Sequence, residues 1–470
     1  MTEFYNEMFD QNLDPRRNYK ELVKWLEPQP VKELNLKCKE AEELFRRIGI
    51  TFNTYEESGD ERLIPFDMIP RILSARQWEK LEKGLKQRIT AINMFLHDIY
   101  HGQEIIRAGK LPLDLIENNA AYLKEMVGFT PPGGVYTHIA GIDIIRTSSK
   151  DFLVLEDNVR TPSGVSYMLE NRETMLHMFP ELFTKYNIKK IGNYPQSLRK
   201  SLELTTNQFI GSKPVVAVLT PGTANSAYYE HAFLADQMGI ELIEGHDCKI
   251  VEGKIAMRTT QGYKPIDVLY RRIDDDFLDP LTYNPRSQLG IAGLMDVYKS
   301  GKITLANAPG SGIADDKAMY SFIPDMIKFY LGEEPLLKNV KTWRCSEQKN
   351  LDYVMANLEK LVIKEVHGSG GYGMLIGPLA SKRELSNFRK KIMRRPSSYI
   401  AQPTLALSTL PILARSGLAP RHIDLRPFVL TSPKGIEVTS GGLTRVALKE
   451  GSLVVNSSQG GGTKDTWVLE

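Results

Sequence analysis

The stretch Gly141–Gly164, GIDIIRTSSKDFLVLEDNVRTPSG, constrains the fold of this chain more than any other. GIDIIR and DFLVLEDN are rich in β-branched and apolar residues, and the polar TSSK between them is typical of a turn. The stretch therefore predicts a β-hairpin. With the turn centred in TSSK, Asp143 lies directly opposite Glu156, and the alternation of side chains along a strand places Asn158 on the same face.

Asp143, Glu156 and Asn158 together form a set of oxygen ligands for a cation. Two ionised carboxylates about 5 Å apart repel by roughly 3 kcal/mol at an effective dielectric constant of about 20. Because the flanking residues are apolar, a cation is needed to neutralise this charge. A hard divalent ion suits two carboxylates and an amide oxygen, and Mg²⁺ would keep further positions for water and phosphate. The alternative is a hairpin whose acids simply face water.

The length and charge of the chain bound its class. With 470 residues it exceeds one ordinary core, so about two to four domains are expected. A net charge of +3 gives no support for non-specific nucleic-acid binding, which needs a concentrated basic surface. We therefore expect a multidomain globular protein with no nucleic-acid partner.

The localisation follows from targeting signals and cysteine usage. There is no run of about 18 apolar residues, and the start MTEFYNEMFD has no basic region followed by an apolar one, so we expect neither a membrane span nor a signal peptide. Cys38, Cys248 and Cys345 are odd in number and far apart, which favours free thiols in a reducing compartment. These features predict a cytoplasmic protein.

Four regions are predicted along the chain. Residues 1–130 show apolar residues at three- and four-residue spacing between charges, which predicts a helical N-terminal cap that ends at PPGG. Residues 131–200 hold the hairpin and the helix after it. Alternating helices and strands predict a small α/β domain over 201–312, and residues 313–470 hold strands with lysines, a glycine-rich loop and an antiparallel sheet.

Two local motifs allow more than one interpretation. His97 and His101 form an i, i+4 pair that resembles a zinc-binding helix motif, but a third ligand is not evident, and we interpret them as a surface or core pair. Ser163 and Gly164 lie at the first turn of the helix that follows the hairpin. That position predicts an anion site, a simple helix cap, or both.

The small α/β domain is predicted to have a largely parallel sheet, and ligands bind such sheets beyond the carboxyl ends of the strands. The turns at Thr220–Ser226, Arg271–Asp276 and Asn307–Ser311 are therefore candidate ligand sites. Arg271 and Arg272 could hold a substrate carboxylate. The three aspartates that follow could hold an amine or form an ordinary solvated loop.

The C-terminal region contains a strand, LVIKEV, with Lys364, followed by the loop HGSGGYG. The loop satisfies G-x-G-x-x-G, but MLIGP after it predicts a strand rather than the helix of a dinucleotide-binding turn. Strand, glycine loop and strand is the geometry of a flap over nucleotide phosphates, but glycine loops also serve other purposes, so the motif alone leaves nucleotide binding open. Arg426 and Arg445 lie in apolar strands, where buried arginines need a triphosphate or a structural carboxylate. The tail NSSQGGGTKDTWVL predicts a flexible loop or a second anion cradle.

In their order and spacing these residues resemble the ATP-grasp superfamily. D-alanine ligases and their relatives carry an Asp, a hairpin turn and E-x-N, which here are Asp143 and Glu156–Asn158 followed by TPSG. Their D-K and their strand lysine before a glycine flap resemble Asp316-Lys317 and Lys364. In those relatives the lysines precede the hairpin, whereas here they follow it. The chain is therefore similar to circularly permuted ATP-grasp proteins such as glutathionylspermidine synthetases, and AINMFLHDIY and EDNVRTPSGVSYMLENR strengthen that likeness over nearly the whole chain.

The resemblance implies a role for each matching position. The implied residues are Asp143, Glu156 and Asn158 for Mg²⁺; Lys317 and Lys364 for the phosphates of ATP; Gly368, Ser369, Gly370, Gly371 and Gly373 for the flap; Gln402 for the adenine hinge; Lys364, Arg445 and Arg426 for catalysis; and Arg160, Ser163, Arg271 and Arg272 for the substrate. Two departures from the pattern concern Gln402, where many relatives have an acid, and Gly141, where they often have an arginine. Arg445, Arg426 and Arg160 are the candidates to replace that arginine.

The implied reaction is ATP-dependent ligation of a carboxylate to an amine through an acyl phosphate, with a small-molecule or peptide acid and an amine as partners. Such phosphoryl transfer depends mainly on positioning and charge neutralisation. The alternatives are a kinase or phosphotransferase that uses the same ATP site, and a non-catalytic nucleotide-binding protein that retains the fold.

Overall fold

The computed structural model describes residues 4–49, 51–53, 61–206, 213–368, 373–414, 417–452, 455 and 460–470. Helices and strands are mixed along this range, which confirms the predicted α/β (α+β) class. The α-helices are α1 (Lys20–Leu26), α2 (Val31–Ile48), α3 (Ala75–Ile99), α4 (Glu104–Arg107), α5 (Asp114–Glu117), α6 (Val165–Met178), α7 (Pro180–Phe183), α8 (Tyr194–Glu203), α9 (Tyr228–Met238), α10 (Asp275–Leu278), α11 (Leu294–Lys299), α12 (Lys317–Tyr320), α13 (Ile323–Leu331), α14 (Gln348–Ala356) and α15 (Lys382–Arg394).

The strands form one large sheet and several small ones. They are β1 (Thr51–Asn53), β2 (Glu61–Leu63), β3 (Phe66–Leu73), β4 (Ile139–Arg146), β5 (Phe152–Asn158), β6 (Val216–Leu219), β7 (Glu241–Ile243), β8 (Cys248–Val251), β9 (Lys254–Thr259), β10 (Gly262–Pro265), β11 (Val268–Arg271), β12 (Thr304–Ala306), β13 (Lys338–Asn339), β14 (Trp343–Arg344), β15 (Leu361–Glu365), β16 (Leu375–Ile376), β17 (Tyr399–Pro403), β18 (Thr409–Ala414), β19 (Gly417–Arg426), β20 (Phe428–Ser432), β21 (Gly435–Val438), β22 (Leu443–Val446) and β23 (Gly462–Val468).

The largest sheet runs in the order β13-β5-β4-β19-β22-β23-β3, with β18 paired to β19 and β20 paired to β4 and β21. The predicted hairpin is its β4–β5 pair. Alternate residues of β4 serve different faces: Ile142 and Ile144 belong to the same buried core as helix α3, whereas Asp143 and Ile145 line a cavity. The hairpin is thus held by apolar packing on one face while its polar face stays available.

Part of the predicted N-terminal helical cap is a strand of this sheet. β3, FDMIPRIL, is buried at every position and pairs in parallel with β23 at one end of the described order. An apolar run of this length cannot be assigned to helix or strand by periodicity alone. Pro70 is tolerated because β3 has a paired strand on only one side in that order. The predicted region boundaries at residues 130, 200 and 312 stay predictions.

The C-terminal tail is also a strand rather than a loop over its last part. β23 lies between β22 and β3, and its charged residues are buried with partners. Lys464 is paired with Asp67, and Asp465 accepts a bond of 2.7 Å from Nε of Arg172. Because each of these charges is matched, a strand with a polar sequence can lie inside the sheet.

Two smaller sheets complete the walls of the cavity. β14, β17, β15 and β16 form an antiparallel sheet in that order, with its own core shared with α14 and α15. β12, β11, β6 and β7 form the parallel sheet that the sequence predicts for the α/β unit. The strands β8, β9 and β10 form a separate antiparallel sheet instead of extending it.

Candidate active site

A cavity of about 770 Å³ opens where these sheets meet. Its walls come from β4, β5, β19 and β22 of the largest sheet, from β15 and β17 of the antiparallel sheet, and from the segments that follow β6 and β11 of the parallel sheet. The carboxyl ends of these parallel strands therefore face the cavity, as expected for such a sheet. The predicted turn at Thr220–Ser226 contributes Pro221, Asn225 and Ser226 to the lining.

The register of the hairpin brings the predicted metal ligands to one wall. Asp143 lies directly opposite Glu156, which confirms the register predicted from the sequence. The pairing shifts by one residue immediately after Asp143, so that Leu155 is the extra residue of a bulge. Leu155 and Glu156 consequently both line the cavity, beside Asn158.

Asp143 belongs to a buried cluster of two carboxylates and two guanidinium groups. Arg426 donates to it at 2.5 and 2.9 Å, and Arg445 donates to it at 2.7 Å. Arg445 also pairs with Asp424. Burial opposes the ionisation of Asp143, but Arg426 and Arg445 outweigh it and hold the pKa of this carboxyl below its usual range. The sequence leaves a triphosphate or a structural carboxylate as partner of Arg426 and Arg445, and in the structure both arginines pair with carboxylates.

Glu156 and Asn158 keep ligand atoms available on the same wall. The carboxylate of Glu156 has neither a hydrogen bond nor an ion pair within the described ranges. Asn158 donates from Nδ2 to the carbonyl of Gly141 at 3.1 Å, which leaves its Oδ1 as the free acceptor. Free carboxylate and amide oxygens beside Asp143 fit a hard cation such as Mg²⁺.

Two lysines from different elements reach the cavity. Lys364 lies in β15, and Glu156 is close enough to affect its charge. Burial lowers the pKa of Lys364, Glu156 opposes this lowering, and Lys317 adds to it. Lys317 is the first residue of α12, and Asp316, the N-cap of this helix, accepts hydrogen bonds from two backbone N–H groups. Nζ of Lys317 donates to the carbonyl of Gly368 at 2.5 Å. Positive charge is therefore concentrated beside the acidic hairpin.

The predicted glycine flap is described only at its ends. Gly368 lines the cavity, and Ser369, Gly370 and Gly371 lie outside the described residues. Gly373 has a φ of +70°, and a Cβ on it would lie 2.8 Å from the carboxyl carbon of Glu365. The positive φ favours glycine at this end of the flap, while the carboxyl group of Glu365 could move away from a Cβ.

Another part of the cavity is apolar. Gln402, from β17, is buried at its edge and donates from Nε2 to Oγ1 of Thr342 at 3.1 Å. The apolar lining consists of Ile145, Leu155, Val340, Val362, Ile376, Leu405 and Leu407. The cavity thus combines an apolar slot with the charged wall of the hairpin.

Arg160 and Ser163, two of the four predicted substrate contacts, line the cavity. Arg160 forms ion pairs with Asp274 at 3.3 Å and with Asp315 at 3.8 Å. Burial raises the pKa of Asp315 to about 6, although Arg160 and the backbone N–H of Val159 oppose the rise. The positive charge of Arg160 is therefore balanced by Asp274 and Asp315.

Arg271 and Arg272, the other two, differ in their access to the cavity. Arg271 is fully buried, does not line the cavity, and bonds to backbone carbonyls and to Asp275. Arg272 lines the cavity, but Glu230 balances its charge at 3.2 Å. The structure thus gives Arg271 structural partners, and it separates the two adjacent arginines that the sequence treats alike.

Asp424 and His231 line the cavity although the sequence does not single them out. Asp424 lies two residues before Arg426, so strand alternation would have placed both on one face. His231 lies in α9 without any motif that marks it. By contrast, His97 and His101 are exposed with their rings stacked at 4.2 Å, and no cluster of three or more His, Cys, Asp or Glu ligands is found among the described residues.

The family of the chain follows from its match to known sequences. Residues 70–447 match the family described as circularly permuted ATP-grasp type 2. The chain belongs to this family. The circular permutation and the ATP-grasp fold predicted from the sequence are thereby confirmed, and ATP-dependent ligation with ATP and Mg²⁺ is the general chemistry of the family.

Relatives of this ATP-grasp chain match almost its whole length. An uncharacterized protein of Synechocystis sp. is 48% identical over 468 residues, covering 99% of this chain and 97% of the relative. A protein of Frankia alni with the provisional name glutamate–cysteine ligase 2-3 is 40% identical over 470 residues, covering 99% of this chain and 54% of the relative. Because the match spans about half of the Frankia protein, the activity in its name belongs to that whole protein.

A solved structure shares the fold. The glutathione synthetase-like effector of Globodera pallida, in its apo form, aligns with a TM-score of 0.58 at 12% identity and covers 94% of this chain and 98% of that one. At this identity the likeness concerns the fold alone. None of the described helices combines the length and the apolar character needed to cross a membrane.

Proposed function

We propose that this ATP-grasp chain is an ADP-forming ligase that joins a carboxylate to an amine through an acyl phosphate. The observation that carries the proposal is the arrangement in the cavity, where Lys317 and Lys364 meet the wall formed by Asp143, Glu156 and Asn158. Cations from α12 and β15 on one side and oxygen ligands of the β4–β5 hairpin on the other suit a polyphosphate bound between them.

The nucleotide would lie across the two chemically different parts of the cavity. The adenine ring would occupy the apolar slot, with the amide of Gln402 at its edge. Lys317 and Lys364 would then contact the phosphates, and Gly368 would begin the flap that covers them. Because Lys364 is half-buried, its charge interacts with phosphate more strongly than that of a fully exposed lysine would.

Asp143, Glu156 and Asn158 would hold Mg²⁺ in this proposal. A bound Mg²⁺ neutralises charge on the phosphates during transfer. Arg426 and Arg445 fix the position of Asp143 through three hydrogen bonds and add positive charge beside the same wall. Their rigidity matters because catalytic groups that are already oriented need no rearrangement when the reaction occurs.

The reaction has two balanced steps. An oxygen of the substrate carboxylate forms a bond to the γ-phosphorus, and the bond from that phosphorus to the oxygen bridging to the β-phosphate breaks, which releases ADP. The amine nitrogen then forms a bond to the carbonyl carbon, the bond from that carbon to the phosphate oxygen breaks, and phosphate leaves as the nitrogen loses a proton. The acid would be a small molecule or a peptide. Similarity to glutathionylspermidine synthetases in substrate, like a cytoplasmic location, stays a prediction.

The test is turnover of ATP with pooled acids and amines, with ADP, phosphate and amide product measured together. We expect ADP and phosphate in equal amounts only when both substrates are present. Glu156→Gln should lower turnover about 100-fold without changing thermal stability, because a bound metal supplies several kcal/mol of charge stabilisation. Glu359→Gln, at an exposed glutamate that does not line the cavity, is the matched control.

Three outcomes would contradict the proposal. Release of AMP and pyrophosphate would exclude an acyl phosphate. A phosphorylated product with no amide at saturating amine would favour the phosphotransferase alternative. Normal turnover by Glu156→Gln would remove the role proposed for the hairpin.

A further inference from the structure

The wall that the α/β unit gives to the cavity carries a group of hydrogen-bond donors and one carboxylate, Asp274, which is already paired with Arg160 at 3.3 Å. Its lining includes Asn225, Ser226 and Ala227, which lead into α9, together with His231 and Arg272. The nucleotide and metal roles proposed above use none of these residues. Their polar atoms must therefore serve another part of the ligand or remain unused.

The hydrogen bonds of Thr220 determine which nitrogen of His231 carries the proton. Oγ1 of Thr220 lies 2.9 Å from Nδ1 of His231 and accepts from the backbone N–H of Gly222 at 3.2 Å. Because Thr220 is buried and its hydroxyl hydrogen has no other acceptor within the described ranges, that hydrogen is donated to Nδ1. The proton of the neutral ring then lies on Nε2. Nε2 has no partner of its own in the described structure.

His231 stays neutral in this position. It is 1% exposed, and burial, with a smaller contribution from Arg272, lowers its pKa to about 2. Burial therefore favours the neutral ring, and its free N–H can donate a hydrogen bond into the cavity. It can receive an acceptor oxygen without first losing or gaining a proton.

Arg272 supplies a second unused donor. The residue is 6% exposed, and its Nε is buried without a hydrogen-bond partner, while its terminal nitrogens bond to Glu230, Pro162 and Tyr270. Glu230 offers no acceptor to a ligand in exchange, because it is 1% exposed, does not line the cavity, and already accepts bonds at both carboxylate oxygens. The wall therefore lacks an acceptor for an ammonium group at this point and has donors to spare.

The start of α9 adds the field of a helix N-terminus. α9 spans Tyr228–Met238 and its N-cap is Ala227, whose backbone N–H donates to Oδ1 of Asn225 at 2.9 Å, while the N–H of Tyr228 donates to the carbonyl of Asn225 at 3.0 Å. The N-terminus of a helix of this length carries partial positive charge and favours anions. Together with the unpartnered nitrogens of His231 and Arg272, it makes this wall suited to a carboxylate.

We propose that the wall formed by residues 225–227, His231 and Arg272 binds a second carboxylate of the acid substrate, so that the acid is a dicarboxylate. The inference rests on the ligase function proposed above. The carboxylate to be phosphorylated must lie beside the hairpin and the lysines, whereas the other lies against the α/β unit. His231 and Arg272 are then the residues that select the acid.

Direct binding tests the inference without turnover. The probes are a chain-length series of α,ω-dicarboxylates, each compared by calorimetry with the monocarboxylate of the same length, on protein saturated with Mg²⁺ and a non-hydrolysable ATP analogue. We expect at least one dicarboxylate to bind about tenfold or more tightly than its monocarboxylate, as a charge-assisted hydrogen bond predicts. His231→Ala should abolish that preference.

Thr220 provides a matched pair of variants. Thr220→Val removes the hydroxyl that sets the protonated nitrogen and should weaken dicarboxylate binding several-fold, while Thr220→Ser keeps the hydroxyl and should leave it unchanged. Affinity for the ATP analogue, measured on the same samples, should stay the same in all three variants and shows that they are folded. A wild-type protein that binds no dicarboxylate better than its monocarboxylate would overturn the inference, as would an unchanged preference in His231→Ala. Failure of the ligase proposal would instead appear as absent amide formation with this preference intact.

Discussion

Breaking the buried pair Arg88–Asp157 should destabilise the protein more than any exposed ion pair can. Nε and a terminal nitrogen of Arg88 each donate to Asp157 at 2.6 Å, and the two side chains are 1% and 0% exposed. The remaining bond of Arg88 goes to Asn339 at 2.8 Å. Asp157→Asn would leave the guanidinium buried without its counter-ion, which costs about 3–5 kcal/mol.

The double variant separates the pair from its surroundings. Replacing both partners by apolar residues, Arg88→Met with Asp157→Leu, removes both charges together, and such replacements are often neutral or stabilising. Urea denaturation should therefore show a large loss in unfolding free energy for Asp157→Asn and recovery of most of it in the double variant. Glu79→Gln, which breaks the exposed pair with Lys83 on the same helix, should change the unfolding free energy far less, because water screens both charges.

Two results would refute this reasoning. A loss below about 1 kcal/mol for Asp157→Asn would mean that the buried charge is solvated or compensated in some other way. A double variant as unstable as the sum of the two single variants would mean that the residues act independently, since a pair in direct contact must show a coupling energy.

Two further predictions concern Lys364, which lines the cavity, and His367, which lies just before the glycine flap. Lys364→Met should weaken binding of a non-hydrolysable ATP analogue about tenfold or more by calorimetry, because a charged phosphate contact from a half-buried lysine is lost, and Lys360→Met, at an exposed lysine, should leave the affinity unchanged. Equal affinities of the wild type and Lys364→Met would remove the phosphate role. The hydrogen bond to Asp316 raises the pKa of His367 above 6.5 against the effect of burial. The bond between His367 and Asp316 therefore contributes its full stabilisation below the pKa that His367 has in the unfolded chain. This stabilisation is lost as the pH rises through the pKa of His367 in the folded protein. An NMR titration of His367 that is unchanged by Asp316→Asn would contradict this prediction.

The sequence predicts the hairpin well because its determinants are local. Paired residues of the two strands are at most 17 positions apart in the sequence. A polar turn between apolar strands also leaves few registers that keep Ile142 and Ile144 buried. The bulge at Leu155 was not predictable, since one residue more on a strand changes neither its composition nor its alternation enough to be recognised. The bulge nevertheless decides that Glu156 faces the cavity.

The elements that sequence reasoning misses depend on contacts between distant parts of the chain. β3 and β23 are nearly 400 positions apart, as the pair formed by Lys464 and Asp67 shows. Neither residue has a local pattern that reveals its partner, so the tail resembles a solvated loop. The partner of Asp143 was equally hard to predict, because Arg445 lies on the distant strand β22. From the sequence one can infer only that a buried arginine needs an anionic partner.

Strand alternation explains how one hairpin can serve both the fold and the site. On β5, Glu156 and Asn158 line the cavity, while Asp157 between them turns to the opposite face and is held there by Arg88. The ligand atoms are therefore positioned by a charge pair on the other side of the strand, which a ligand in the cavity does not touch. Asp157→Asn should therefore displace Glu156 and Asn158 as well as lower stability. If the apolar double variant recovers turnover, the site depends on the position of strand β5 and not on the charge of Asp157.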